Sequence, residues 1–115
     1  MATIFNNIDK VSGDPFPAVV VSVELKWDTA ESPVAITDDE TMIRGTYGTQ
    51  TNSSGNWEVS GLVPNDQIEP AGSVYEVIER ITTSNSVVTY YVSIPDSATP
   101  TYWVGDYIVE KPTWL

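Results

Sequence analysis

Apolar and polar residues alternate along much of this chain with a period of two, the period of a half-buried β-strand. One face of residues 18–27 carries Val19, Val21, Val23, Leu25 and Trp27. The other face turns polar toward Lys26, as in a sheet that is covered on one side only. We therefore predict a strand over residues 18–27, with its apolar face in the core.

The same pattern predicts six more strands, over residues 2–8, 42–51, 56–61, 73–82, 87–94 and 101–109. Residues 9–17 and 28–40 are predicted to be loops, the second with room for a short strand at 34–37. Two hairpins are expected, one turning at 52–55 and one at 84–86. Helix signals are nearly missing, and the turn signals recur at the spacing of an all-β sandwich.

These elements predict a single antiparallel β-sandwich of about seven strands, transthyretin-like or Ig-like, with extended terminal arms. Residues 1–17 are expected to be an N-terminal arm or edge strand followed by a loop. Residues 18–109 are expected to form the sandwich, and residues 110–115 a C-terminal docking tail. A chain of 115 residues has the size of one domain with one core.

Trp57 follows a Gly-centred turn and begins an alternating strand that continues through Val59 to Leu62. A tryptophan beside a tight turn is typical of a residue that fills the core of a small sandwich. The alternative is a platform on which a sugar ring stacks. We favour the core for all three residues.

Composition and charge narrow the functional classes. The chain has no cysteine and no histidine, which excludes disulfides, thiolate metal sites and imidazole catalysis. Its formal charge of −11 disfavours binding to nucleic acid and to anionic membranes. Suitable partners are basic surfaces, cations or neutral molecules such as glycans, and the charge alone also favours solubility.

Several segments together resemble a known family of modules. They are Thr51-Asn-Ser-Ser-Gly-Asn-Trp57, Gly61-Leu-Val-Pro64, Pro70-Ala-Gly-Ser-Val-Tyr75-Glu-Val77 and Tyr91-Val-Ser-Ile-Pro95. This order is similar to the transthyretin-like, or carboxypeptidase-regulatory-like, β-sandwich modules, especially those in virion proteins of tailed bacteriophages. The chain departs from the family pattern at Asn52, where aspartate is usual, and at Ser73, where threonine is usual.

The resemblance implies a non-catalytic structural virion protein, a capsid-decorating, tail or fibre component. Its expected partners are other virion proteins and further copies of itself, with no cofactor. It is expected to be made in the host cytoplasm without a signal peptide and to end in the virion. Two alternatives stay open, a glycan-binding or adhesin-type module that recognises the host surface, and an accessory domain of a larger secreted protein.

Aromatic and apolar residues near the chain ends are the candidate contact residues. Tyr102 and Trp103 are neighbours in one strand, so they point to opposite faces and at least one of them is expected at the surface. Trp114 and Leu115 are expected to dock on a neighbouring subunit or on the chain's own sheet. Ile4 and Phe5 are expected to behave in the same way. These six residues form the predicted interface.

Asp38, Asp39 and Glu40 bring three carboxylates into one predicted loop. Calcium requires six to eight oxygen ligands, and the spacing here matches no EF-hand loop. A solvated acidic loop is the favoured interpretation, and we predict no metal site. Without histidine, cysteine or a recognisable nucleophile, no catalytic residue is predicted.

Overall fold

The computed structural model describes residues 2–10, 12–28, 32–35, 38–42 and 45–115, and this part of the chain is all-β. Its helical elements are two 3₁₀ turns, at Asn65–Gln67 and Val104–Asp106. The strands are β1 (Ala2–Asn7), β2 (Val20–Lys26), β3 (Val34–Ala35), β4 (Asp38–Met42), β5 (Thr46–Gln50), β6 (Asn56–Leu62), β7 (Ile68–Glu69), β8 (Val74–Ile81), β9 (Ser86–Val92), β10 (Thr101–Trp103) and β11 (Ile108–Val109).

These strands form three sheets. The largest has the order β11-β9-β8-β2-β5 and is antiparallel throughout. The second has the order β10-β1-β6, and in it β1 runs parallel to β10 and antiparallel to β6. The third is small, with the order β4-β3-β7.

The five-stranded sheet and the β10-β1-β6 sheet share one apolar core. The five-stranded sheet contributes Val21, Val23, Leu25, Tyr75, Val77 and Val92, and the other sheet contributes Ala2, Ile4, Trp57, Val59, Leu62 and Tyr102. Each fully buried side chain of this size stabilises the fold by roughly 1.5–3 kcal/mol. Val19, Val21, Val23, Trp57, Val59 and Leu62 are therefore buried where the sequence placed them, while Trp27 is half-buried against the core.

Each of the seven predicted segments contains a strand or most of one, and the segment 101–109 contains two, β10 and β11, so the total among the described residues is higher than about seven. β3 lies where a short strand was expected at 34–37, and the additional strands are β4 and β7. The loop prediction for residues 28–40 is corrected here, because β4 begins at Asp38.

The turn at 52–55 does not close a hairpin. β5 pairs with β2 and β6 pairs with β1, so residues 51–55 carry the chain from one sheet to the other. Thr51 stays attached to the β2 side, where its N–H donates to Val19 O and its hydroxyl donates to Phe16 O. Gly55 belongs to the other side, since its carbonyl accepts the N–H of Ile8.

The N-terminal strand is neither a free arm nor an edge. β1 is the middle strand of its sheet, and Ala2 and Ile4 are fully buried. The alternating pattern predicted a strand here, but it did not reveal that a later segment, β10, would cover its second edge. The N-terminal strand therefore contributes side chains to the core.

The predicted last strand, 101–109, is divided between two sheets. β10 pairs with β1, a 3₁₀ turn follows at Val104–Asp106, and β11 pairs with β9 in the five-stranded sheet. Val104 is buried at this corner, and its carbonyl accepts the N–H of Tyr107. The other predicted hairpin is present, because β8 and β9 pair along their length on either side of a turn at 82–85.

Candidate functional site

A carboxylate lies between the two main sheets. Glu79 is 7 % exposed, and it shares the inward face of β8 with Tyr75 and Val77. Its Oε2 atom accepts hydrogen bonds from three side chains, Trp57 Nε1 at 2.7 Å, Asn6 Nδ2 at 3.0 Å and the Tyr90 hydroxyl at 3.1 Å. We call these four residues the Glu79 cluster.

The Glu79 cluster connects four strands across the core. Asn6 and Trp57 come from β1 and β6, whereas Glu79 and Tyr90 come from β8 and β9. Burying an ionised carboxylate is costly unless it is well hydrogen-bonded, and bonds to a charged acceptor are shorter and stronger than neutral ones. The cluster therefore fixes the position of one sheet relative to the other.

The tyrosine of the cluster remains a hydrogen-bond donor. Burial, and then the charge of Glu79, raise the pKa of Tyr90 above its ordinary value. The hydroxyl thus keeps its proton at neutral pH and continues to donate to Glu79 Oε2. The three donors meet at one oxygen of Glu79, and their hydrogen bonds join the two sheets.

Trp103 extends the cluster to the surface. Its indole Nε1 donates to Asn6 Oδ1 at 3.2 Å, while 47 % of the residue is exposed. Its ring lies against Gly105, where a Cβ atom would come within 2.5 Å of ring carbons. The indole is thus held on two sides, by a hydrogen bond and by a backbone that carries no side chain. Trp103 is a fixed aromatic surface.

The outward face of β1 and β6 borders a groove of about 530 Å³. Phe5 on β1 is partly exposed beside Glu58 on β6, to which it is paired in register. Asn56 lies two residue pairs further along β6, and its side chain accepts a hydrogen bond from Asn7. Phe5 and the almost fully buried Trp57 line this groove together with amide and carboxylate groups.

The structure divides the predicted interface residues into two groups. Ile4 and Tyr102 are buried in the core, so their predicted role as surface contacts is corrected. The strand alternation that exposes Phe5 and Trp103 turns these two neighbours inward. Trp114 is half-buried and Leu115 is exposed, in a terminal turn closed by the Leu115 N–H and the Pro112 carbonyl.

Asn52 organises the turn before Trp57. Its Oδ1 accepts the backbone N–H groups of Ser54 at 2.9 Å and of Asn56 at 3.1 Å. Asn52 thus acts as a local cap for the turn.

The side chains of Asp38, Asp39 and Glu40 lie outside the part of the chain whose side chains the structure describes. Within the described part, no group of three or more acidic side chains is placed to hold a metal ion. The described residues also contain no helix long and apolar enough to cross a membrane.

Glu79 was not among the residues that the sequence singled out. Strand alternation does place it on the same face as Tyr75 and Val77, and a lone acidic residue on an apolar face is a signal for a buried carboxylate. What the pattern cannot supply is the set of donors, because Asn6, Trp57 and Tyr90 come from three other strands.

Comparison with models of known protein families finds no match for this chain, and comparison with curated proteins finds no match either.

Proposed function

We propose that this protein is a non-catalytic structural module of a tailed-bacteriophage virion, a β-sandwich of the transthyretin-like or Ig-like kind. It serves as a capsid-decorating, tail or fibre component and assembles with other virion proteins and with copies of itself. Two sheets that share one core support the sandwich. The motifs around Trp57 and Tyr75 support the relation to virion modules.

The observation that carries the assembly role is the exposure of large apolar side chains on strands of both main sheets. They are Phe5, Val20, Val87, Val88, Trp103, Ile108 and Val109. Val87 and Val88 are neighbours on β9 and expose apolar side chains on its opposite faces, and an edge strand with exposed apolar side chains favours contact with another chain. The Glu79 cluster supports the same role, since its hydrogen bonds hold together the two sheets that present these side chains.

Particle purification tests this proposal. Virions from cells that produce the protein are separated from soluble protein on a density gradient, and their proteins are identified by mass spectrometry. We expect the chain to migrate with intact particles and to remain with them after high-salt washing. Recovery of the chain only in the soluble fractions would reject the structural role.

A second candidate function is recognition of a neutral glycan, and the groove beside Phe5 favours it. An aromatic ring offers a stacking surface, while Asn56 and Glu58 offer donors and acceptors to hydroxyl groups. A glycan array tests it, with Phe5→Ala as the disabling variant. Saturable binding that Phe5→Ala abolishes, and that Val109→Ala on the other sheet leaves intact, would establish the glycan site.

A further inference from the structure

The outer side of β9 is mostly uncovered. β8 pairs with β9 from Ser86 to Val92, but β11 pairs only with Tyr91 and Val92. Residues 86–90 therefore present a backbone edge that no strand in the described part of the chain occupies. Such an edge, with its unpaired N–H and C=O groups, is a template for another strand.

The side chains along this edge are apolar and exposed. Val87 is 50 % exposed on the outward face of the sheet, and Val88 is 51 % exposed on the inward face, where it pairs with Glu79. Folded proteins commonly protect such an edge with lysine, proline or a β-bulge. Residues 86–90 contain neither lysine nor proline, and the β8–β9 register runs without a shift. The backbone of residues 86–90 is therefore free of these protective features, and the edge can pair with another strand.

The distribution of charge indicates which kind of strand pairs with the β9 edge. Two copies of a chain with a net charge of −11 repel each other over most of their surfaces. Residues 81–95 contain no charged side chain and form the longest uncharged stretch of the sequence. The β9 edge is thus a surface on which a second copy meets little repulsion, and an identical strand brings the same uncharged, β-branched residues to the contact.

We propose that two copies of the protein pair through their β9 edges in an antiparallel manner, with Val88 on the twofold axis. An axis perpendicular to the sheet keeps the inward faces together and joins the two five-stranded sheets into one. Val88 then lies opposite Val88 of the second copy, and Val87 lies opposite Thr89. The remaining pair is Ser86 with Tyr90. This inference deepens the proposed assembly role by naming one partner and one contact.

A single cysteine tests the register, because the chain has no cysteine of its own. In Val88→Cys the two Cα atoms across the axis would be about 4.5–5.5 Å apart, within the range of a disulfide. The control is Ser86→Cys on the same exposed edge, whose Cα atoms would be separated by about 13 Å. We expect a disulfide-linked dimer for Val88→Cys under mild oxidation and at least tenfold less for Ser86→Cys.

Sedimentation equilibrium tests the dimer without a crosslink. We expect the wild-type mass to rise from 12.6 kDa toward twice that value with concentration, and added salt to strengthen the dimer by screening the net charge. The double variant Val87→Glu/Thr89→Glu puts two pairs of carboxylates directly opposite each other, so it should remain a monomer. Ser53→Glu/Ser54→Glu adds the same charge in the exposed turn at 52–55 and should still dimerise.

A wild-type monomer at every concentration, or equal crosslinking of the two cysteine variants, would overturn the proposal. If Val88→Cys instead crosslinks to a different protein in purified particles, the occupant of the edge is a foreign strand. Failure here leaves the structural role intact when the chain still migrates with particles. Conversely, a solution dimer that is absent from particles would reject the structural role and retain the β9 contact.

Discussion

Glu79 lies in an environment that is unusual for an acidic residue, since its side chain is buried between two sheets. Acidic side chains are almost never buried unless they are paired or hydrogen-bonded. Here no cation is needed, because three neutral donors meet one oxygen atom. Two of the donors, Asn6 and Trp57, reach across from the opposite sheet. The cost of burying the charge is thus offset by bonds that also set the spacing of the sheets.

Substitution of Glu79 should lower the free energy of unfolding by more than most single substitutions do. Glu79→Gln keeps the shape but loses the charge that strengthens the three bonds, so we expect a loss of about 1–3 kcal/mol in the free energy of unfolding. Glu79→Ala leaves the buried donors without an acceptor and should cost about 1–3 kcal/mol for each donor that stays unpaired. Urea denaturation measures both. Glu58→Gln, on the exposed face of β6, is the control and should change the free energy by less than about 0.5 kcal/mol.

The raised pKa of Tyr90 leads to a prediction of how the free energy of unfolding changes at alkaline pH. Its pKa is raised by burial and by Glu79, so the unfolded chain releases this proton first, near the ordinary pKa of about 10. The contribution of Tyr90 is fully present below pH ~10 and is lost as the pH rises above it. Tyr90→Phe should therefore lose less stability than the wild type between neutral and strongly alkaline pH. Parallel pH dependences for the two proteins would contradict this account.

At the scale of elements, alternation predicted strands well and their partners less well. β2 and the β8–β9 hairpin follow directly from period-two patterns with clear turns. The segment 101–109 also alternates, but it divides between two sheets around a 3₁₀ turn. Alternation reports which side chains share a face, and it contains no information about which sheet a strand joins. Within this segment, Gly105 is a residue whose type favours a turn, and it lies in the 3₁₀ turn between β10 and β11.

The turn before Trp57 shows the same limit. Its residues predict a tight turn, and the turn exists, yet the strands on its two sides pair in different sheets. The deciding bonds connect Thr51 to Phe16 and Gly55 to Ile8, which lie 35 or more residues apart in sequence. The Glu79 cluster could not be predicted from the sequence for the same reason, because its four residues belong to four different strands.

Gly55 provides the test at this scale. Its φ of +76° favours glycine, and a Cβ atom would come within 2.4 Å of the Ile8 carbonyl oxygen. Gly55→Ala should therefore destabilise the protein by roughly 2 kcal/mol or more, because backbone must move in addition to the strain of a positive φ. Gly48→Ala, in the open part of β5, is the matched control with nothing within 4 Å of its Cβ. Equal denaturation midpoints for the two variants would contradict the crossover geometry.

At the scale of the whole molecule, the protein combines a formal charge of −11 with exposed apolar side chains on both main sheets. Repulsion between copies confines association to places where charge is absent and apolar side chains are exposed. The β9 edge meets both conditions. Trp103 meets only the second, because the exposed Glu58 lies on the same face of its sheet.

The C-terminal tail is the other candidate contact of the whole molecule. Trp114 is half-buried and lies outside the core cluster, and Leu115 is exposed. Deleting residues 111–115 should change the free energy of unfolding by less than about 0.5 kcal/mol while reducing incorporation into particles. Gradient purification of particles made with the shortened chain measures the second effect. Full incorporation would show that the tail is dispensable for assembly.

The copy number of the chain in purified virions tests the structural role most directly. It can be measured by mass spectrometry against isotope-labelled peptides of this chain and of the major structural protein of the same particle. A structural component should have a fixed number of copies per particle, the same in independent preparations and after high-salt washing. A number that varies between preparations, or that falls toward zero as particles are purified, would contradict the proposed function.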